Sequence, residues 1–210
     1  NAVSGYGFTN GQWFTADLNG DGKTDLVHRG SGGVNSWLSN GDGTYARIEN
    51  RVPGYGFENG QWLTGDLNGD GKTDLVHRWD GGVTVWRSAG DGHFAVTGNG
   101  IPGYGYTDGQ WFIADLNADD RDDLVHRWTN GINAWLSTGQ GSFSVVQNHF
   151  SGNSFSQGQW AVGDFNGDGA SDLTHRWDGG ITVWRSAGGG SFSAIPCLLP
   201  AYGFSLVPCF

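Results

Sequence analysis

Apolar and polar residues alternate in short runs along this chain. Val83, Val85 and Arg87 point one way and Thr84, Trp86 and Ser88 the other, the period-two signature of a strand. Between Gly54 and Pro102 four strands are predicted, at 61–66, 73–79, 82–88 and 93–98. Asn-Gly-Asp-Gly, Asp80-Gly81-Gly82 and Ala89-Gly90-Asp91-Gly92 separate them. These are residues that reverse a chain at little steric cost. No stretch reads as a helix, and Gly, at 39 residues, is too frequent for long ones.

The pattern returns. Equivalent segments open at Asp17, Asp66, Asp115 and Asp164, each step spanning 49 residues. Repeats are predicted at 4–53, 54–102, 103–151 and 152–200, with 201–210 as a closing tail. Each carries Gln-Trp before the acidic segment, Leu-Val-His-Arg or Leu-Thr-His-Arg after it, and a Trp in its third strand. Four antiparallel strands in a unit of roughly 40–50 residues is the pattern of a propeller blade. The expectation is an all-β protein: a single small β-propeller domain over 1–210, built of four four-stranded antiparallel blades. The alternative is an excised part of a larger ring. Trp37, Trp86, Trp135 and Trp184 are expected to pack between blades. Repeats one and three share Asn-x-Trp-Leu-Ser, and repeats two and four share Thr-Val-Trp-Arg-Ser-Ala-Gly, so the array reads as a duplicated pair.

The acidic segments place oxygen-bearing side chains at positions one, three, five and nine. Hard cations such as calcium take several oxygen ligands, and a tight Gly-containing loop gathers them around one point. The candidate ligands in the first loop are Asp17, Asn19, Asp21, the Lys23 carbonyl and Asp25. Asp66, Asn68, Asp70, Lys72 and Asp74 follow in the second, and Asp115, Asn117, Asp119, Arg121 and Asp123 in the third. The fourth has Asp164, Asn166, Asp168, Ala170 and Asp172. About four Ca2+ ions are expected, one between the first two strands of each blade. Position twelve is His28, His77, His126 or His175 rather than the Glu of an EF-hand, so a helix–loop–helix is not expected. The third loop has Ala118 and Asp120 where the others have Gly.

Charge fits this reading. The formal net charge is −10, and four divalent ions would offset most of it. With 11 Lys plus Arg and no basic run, nucleic acid is not an expected partner. No apolar run is long enough to span a bilayer. With no Met at all, the sequence reads as a processed or excised piece of a secreted protein. Cys197 and Cys209 are expected to close a short terminal disulfide loop, which fits an oxidising compartment; the alternative is two free thiols. No zinc-type His spacing and no Gly-x-Ser-x-Gly elbow is present, so no catalytic residues are proposed and the chain is not read as an enzyme.

The Asp-x-Asn-x-Asp-Gly-x-x-Asp-Leu loop in four-stranded units resembles the FG-GAP repeats of integrin α-subunit propellers. The order of Ala16–Asp25, Gly33-Val34, Asn40–Tyr45 and Gly54–Trp62 is similar to that in the fungal Psathyrella velutina lectin-like family. The first resemblance implies calcium in the hairpin between the first two strands of a blade. The second implies a propeller binding N-acetylglucosamine or related sugars between blades. On strand direction, the turns after the His-Arg-Trp segments and the aromatic linkers fall on the rim opposite the acidic loops. The carbohydrate candidates are therefore Tyr55, His77, Arg78 and Trp79; Tyr104, His126, Arg127 and Trp128; and His175, Arg176, Trp177 and Tyr202. Aromatic rings stack on sugar C–H faces while Arg and His bind hydroxyls. The alternative is that these aromatics pack between blades and the His-Arg pairs are satisfied within the fold. The expected function is a multivalent lectin for glycans or glycoproteins, with oligomerisation left open. Its rivals are a protein-interaction or adhesion propeller and a non-catalytic part of a larger secreted protein or toxin.

Overall fold

The computed structural model describes residues 11–30, 33–50, 60–102, 109–129, 131–149, 158–177 and 180–199. All regular structure among them is strand. The first sheet comprises β1 (Gln12–Ala16), β2 (Asp25–Gly30), β3 (Gly33–Ser39) and β4 (Tyr45–Asn50), and the second β5 (Gln61–Gly65), β6 (Asp74–Trp79), β7 (Gly82–Ser88) and β8 (Phe94–Pro102). The third has β9 (Gln110–Ala114), β10 (Asp123–Trp128), β11 (Gly131–Ser137) and β12 (Phe143–His149). The fourth has β13 (Gln159–Gly163), β14 (Asp172–Trp177), β15 (Gly180–Ser186) and β16 (Phe192–Leu199). Each sheet is a four-stranded antiparallel meander in sequence order. The chain divides into two compact units, Asn1–Tyr106 and Thr107–Phe210, each holding two sheets.

The predicted strands of the second repeat lie within a few residues of those observed. The last runs further than expected, with its register against β7 shifting near Thr84. The expected alternation does not produce a dry face and a wet face. Val83, Thr84, Val85 and Trp86 are all buried.

Within the first unit, Ala16, Leu18, Val27 and Val34 of one sheet pack against Trp62, Leu75 and Trp86 of the next. In the second unit, Ala114, Leu116, Val125, Ile132 and Ala134 meet Trp160, Leu173, Trp184 and Phe192 in the same way. Full burial of one such aliphatic side chain contributes about 1.5–3 kcal/mol. Trp86 and Trp184 therefore pack between sheets as expected, and Trp37 and Trp135 are also buried.

Each Gly before Gln-Trp has a steric reason. At Gly60, with φ +96°, an added Cβ would lie 1.9 Å from the Arg78 carbonyl oxygen, so no side chain fits where β5 enters the sheet.

Candidate functional site

The acidic loops are built around two carboxylates. Asp17 Oδ1 accepts from the Gly20 and Asp21 amides, and its Oδ2 accepts from Gly22 N at 2.8 Å. This coils the loop. Asp25 is fully buried at the start of β2. Its Oδ2 accepts from Leu18 N at 2.9 Å and its Oδ1 from Ser39 N at 2.7 Å. One side chain thus ties the acidic loop to the far end of β3. Asp74, Asp123 and Asp172 repeat that arrangement with the amides of Leu67 and Ser88, Leu116 and Ser137, and Phe165 and Ser186.

Burial pushes the Asp74 carboxyl up to about 6, with Asp66 and Asp70 adding repulsion and the two amides opposing it. Burial likewise raises Asp123 to about 7, beside Asp119 and Asp115. At the exposed lip, the hydrogen bond from the Lys23 ammonium holds Asp21 below the usual carboxylate range; the two atoms are 2.6 Å apart. Lys72 pairs with Asp70, and Arg121 with Asp119. Among the described residues no three Asp, Glu, His or Cys side chains converge on a point.

The residues nevertheless suit a hard cation. The donors are all oxygens in the order such a loop needs, and the carboxylates repel one another without a counter-charge. In the third loop Asn117 Oδ1 is buried with no hydrogen-bond partner. It is an acceptor oxygen with nothing to accept from.

The third loop keeps the geometry of the others without their glycines. Ala118 (φ 57°) and Asp120 (φ 63°) occupy the left-handed region, at a cost of roughly 1–2 kcal/mol for an ordinary residue. Ala118→Gly should therefore stabilise the protein by about 0.5–1 kcal/mol, read as a raised urea midpoint at constant slope. No change would mean the loop relaxes its backbone.

The other end of the second strand carries the aromatic candidates. The register places Trp62 opposite His77 and Gln61 opposite Arg78. His77 is buried, stacked on Trp62 at 4.4 Å and 14°, and Trp79 continues the stack at 6.4 Å from His77. His175 sits between Trp160, at 4.2 Å, and Trp177, at 6.3 Å. His126 stacks on Trp111, and His28 lies against Trp13. The imidazoles are thus interior elements of a ring ladder rather than surface groups. The exposed end of the ladder is the Trp: Trp177 is 39 % exposed, while Trp79 and Trp128 are half-buried. Trp79 lies over the turn at Gly81 and donates through Nε1 to Thr84 Oγ1 at 3.2 Å. In the first repeat Gly30 stands where this Trp would be.

The arginines differ in access. Arg127 is buried, donates to Gln110 Oε1 at 2.7 Å and lies 5.8 Å from the Trp160 ring of the next sheet. Arg176 is exposed and reaches Gln159 Oε1 at 3.4 Å. Arg78 is half-buried. The Gln-Trp dipeptides that orient these groups were not among the candidates. Their recurrence in every repeat, just before the acidic loop, was the available signal. Tyr55, Tyr104 and Tyr202 lie outside the described residues, as do Cys209 and the side chain of Cys197.

A family profile for FG-GAP-like repeats matches residues 17–77 and 66–126. A search of curated protein sequences gave no match. Among solved structures, an Agrocybe aegerita lectin that recognises non-reducing terminal N-acetylglucosamine superposes with a TM-score of 0.80 at 25 % identity. The match covers 92 % of this chain and 53 % of that one. The Photorhabdus luminescens Tc holotoxin pore superposes with a TM-score of 0.64 at 22 % identity, over 91 % of this chain and 10 % of that one. This chain thus spans about half the length of the lectin and a tenth of the toxin chain.

Proposed function

Because the chain belongs to the FG-GAP-like repeat family, we propose that it is a secreted, calcium-stabilised lectin binding glycans at the Arg-Trp ends of its sheets. The observation that carries this reading is the likeness, over 92 % of the chain, to a lectin recognising terminal N-acetylglucosamine. The same likeness supports a binding protein rather than an enzyme, and an N-acetylglucosamine-type sugar as the ligand class.

Calcium is held by the side chains at positions one, three, five and nine and the carbonyl at position seven of each loop. It supplies charge neutralisation and a clamp on the hairpin. The protein residues do the rest. Asp25 and its equivalents set the loop against the third strand, and the coiled loop fixes where the second strand begins. Secretion suits such sites, since extracellular calcium modules work with dissociation constants of about 10⁻⁴–10⁻³ M.

The acidic loop precedes β6 and Trp79 ends it, a separation of roughly 17 Å at about 3.3 Å per residue. On this reading the metal shapes the site without touching sugar. The Trp face takes the apolar side of the pyranose. Arg78 and Arg176 donate to hydroxyls, and the buried His keeps the Trp in place by stacking. Several equivalent sites on one scaffold give avidity for clustered glycans.

Titration with N-acetylglucosamine and a glycan array test the proposal. Trp177→Ala should weaken sugar binding at that site by about 2- to 13-fold, the scale of about 0.5–1.5 kcal/mol for a lost ring contact, and leave the melting temperature nearly unchanged. Glycan binding absent from wild-type protein in calcium would reject it.

A further inference from the structure

We propose that the two acidic loops within each compact unit bind calcium as a coupled pair, filling of one raising the affinity of the other. This rests on the calcium reading above and goes beyond it in one respect: neighbouring sites are not independent.

The link is a line of hydrogen bonds through two peptide groups. A peptide joins the carbonyl of one residue to the N–H of the next in one plane. In the first unit the line starts at the Lys72 carbonyl, the position-seven candidate of the second loop. The N–H of that same peptide belongs to Thr73 and donates to the Asp17 carbonyl at 2.7 Å. The Asp17 carbonyl shares its peptide with Leu18 N, which donates to Asp25 Oδ2 at 2.9 Å. Asp25 is the position-nine candidate of the first loop, so a candidate ligand stands at either end of the line. The second unit repeats it from the Ala170 carbonyl. Ser171 N donates to the Asp115 carbonyl at 2.6 Å, and Leu116 N donates to Asp123 Oδ2 at 3.0 Å.

A second tie runs beside the first. Ser88 N donates to Asp74 Oδ1, at position nine of the second loop, at 2.8 Å, and Ser88 Oγ donates to the Leu18 carbonyl at 2.6 Å. Ser186 joins Asp172 to the Leu116 carbonyl at the same two distances, 2.8 Å and 2.6 Å. Leu18, Asp25, Asp74 and Ser88 are buried, as are Leu116, Asp123, Asp172 and Ser186, so water does not compete for these bonds. The loops also touch directly. A Cβ on Gly20 would lie 3.2 Å from the Gly71 carbonyl oxygen, and one on Gly169 would lie 3.4 Å from the Ala118 Cβ.

The sign of the coupling follows from polarisation. Hydrogen bonds in a chain strengthen one another. With its carbonyl oxygen on a cation, the Lys72–Thr73 peptide is a stronger donor to Asp17. The Asp17–Leu18 peptide then donates more strongly to Asp25, which favours the ionised carboxylate that the first site needs. Linkage makes the effect reciprocal. Repulsion between the two cations runs the other way and is weakened by salt. Ser88 and Ser186 are positioning residues, acting through the aspartate and the loop backbone.

Calcium titration of the metal-free full chain at physiological salt tests this, followed through the backbone amide NMR signals of Gly20 and Gly69. Both amides donate to the first carboxylate of their loops at 2.8 Å. The two signals should move together. A coupling of about 5- to 150-fold gives a Hill coefficient of about 1.4–1.8 for a pair of equal sites. Thr73→Pro removes the N–H that spans the loops and adds no charge; both signals should still respond, now separately, with Hill coefficients near 1. Ser88→Ala cuts the second tie without altering either loop, and should lower the coefficient should the proline disturb its own loop. Wild-type transitions with Hill coefficients of 1 or less would overturn the coupling and leave the calcium reading standing. So would cooperativity unchanged in both variants. Amides indifferent to calcium would remove the calcium reading, and this proposal with it.

Discussion

Asp74→Ala should cost the protein about 3–5 kcal/mol of folding stability, far more than its single deleted carboxylate suggests. The reason lies in what Asp74 accepts. Its two oxygens take the amides of Leu67 and Ser88, at 3.3 Å and 2.8 Å, in a fully buried position. Removal leaves two buried N–H groups without partners, each costing about 1–3 kcal/mol. Asp74→Asn keeps one acceptor oxygen and should lose roughly half as much. Asp80→Ala, in an exposed turn, should change stability by less than about 0.5 kcal/mol. Urea unfolding of the three variants decides it, provided the slope is constant. Similar losses for Asp74→Ala and Asp80→Ala would mean the carboxylate does not hold the loop to the third strand.

Calcium removal should destabilise the protein strongly at pH 8 and only weakly at pH 5. The sign follows from the raised carboxyls. Asp74 at about 6 and Asp123 at about 7 bind protons in the folded state that the unfolded chain has already lost. Their favourable contribution is full below the unfolded value near 4 and is lost as pH rises through 6 to 7. A tenfold difference in proton affinity between folded and unfolded chain corresponds to about 1.4 kcal/mol, so metal-free protein should lose on the order of 2–5 kcal/mol between pH 5 and pH 8. The proposed ion favours the ionised form and reverses this. Calcium should therefore bind more tightly as pH rises, releasing protons near pH 6. Calorimetric melts in chelator and in calcium, at both pH values, measure the gap. A gap independent of pH would separate these carboxyls from metal binding.

The repeat spacing, the turn glycines and the short alternating runs together made the four-stranded sheets legible before any coordinates. The packing role of Trp86 and Trp184 was also legible, because a lone Trp in the third strand of each Gly-rich unit has nowhere else to be buried. What the pattern could not show was which side of a residue is covered. His77, next to Arg78 and Trp79, looks like a rim residue in one dimension. Its burial depends on Trp62, fifteen positions earlier and brought opposite by the β5–β6 register. The ninth-position aspartates posed the same problem. Asp25 reads as one more metal ligand, while its tie to Ser39 N rests on a contact with the far end of β3. The linker tyrosines and the Cys197–Cys209 pairing lie outside the described residues.

The aspartate at the head of each second strand has a wider consequence. It ties the acidic loop to the far end of the third strand at one end of every sheet, and should make that end the stiffer one. At the acidic-loop end two hairpins share one carboxylate; at the Arg-Trp end neighbouring strands meet through ring faces and a tight turn. Stacked rings slide more cheaply than a doubly bonded carboxylate can stretch. On the lectin reading proposed above, small adjustments to differently shaped glycan branches would be absorbed at the Arg-Trp end, with the anchored ends undisturbed. A scaffold of this kind tolerates variety in what it holds because its rigidity is spent elsewhere.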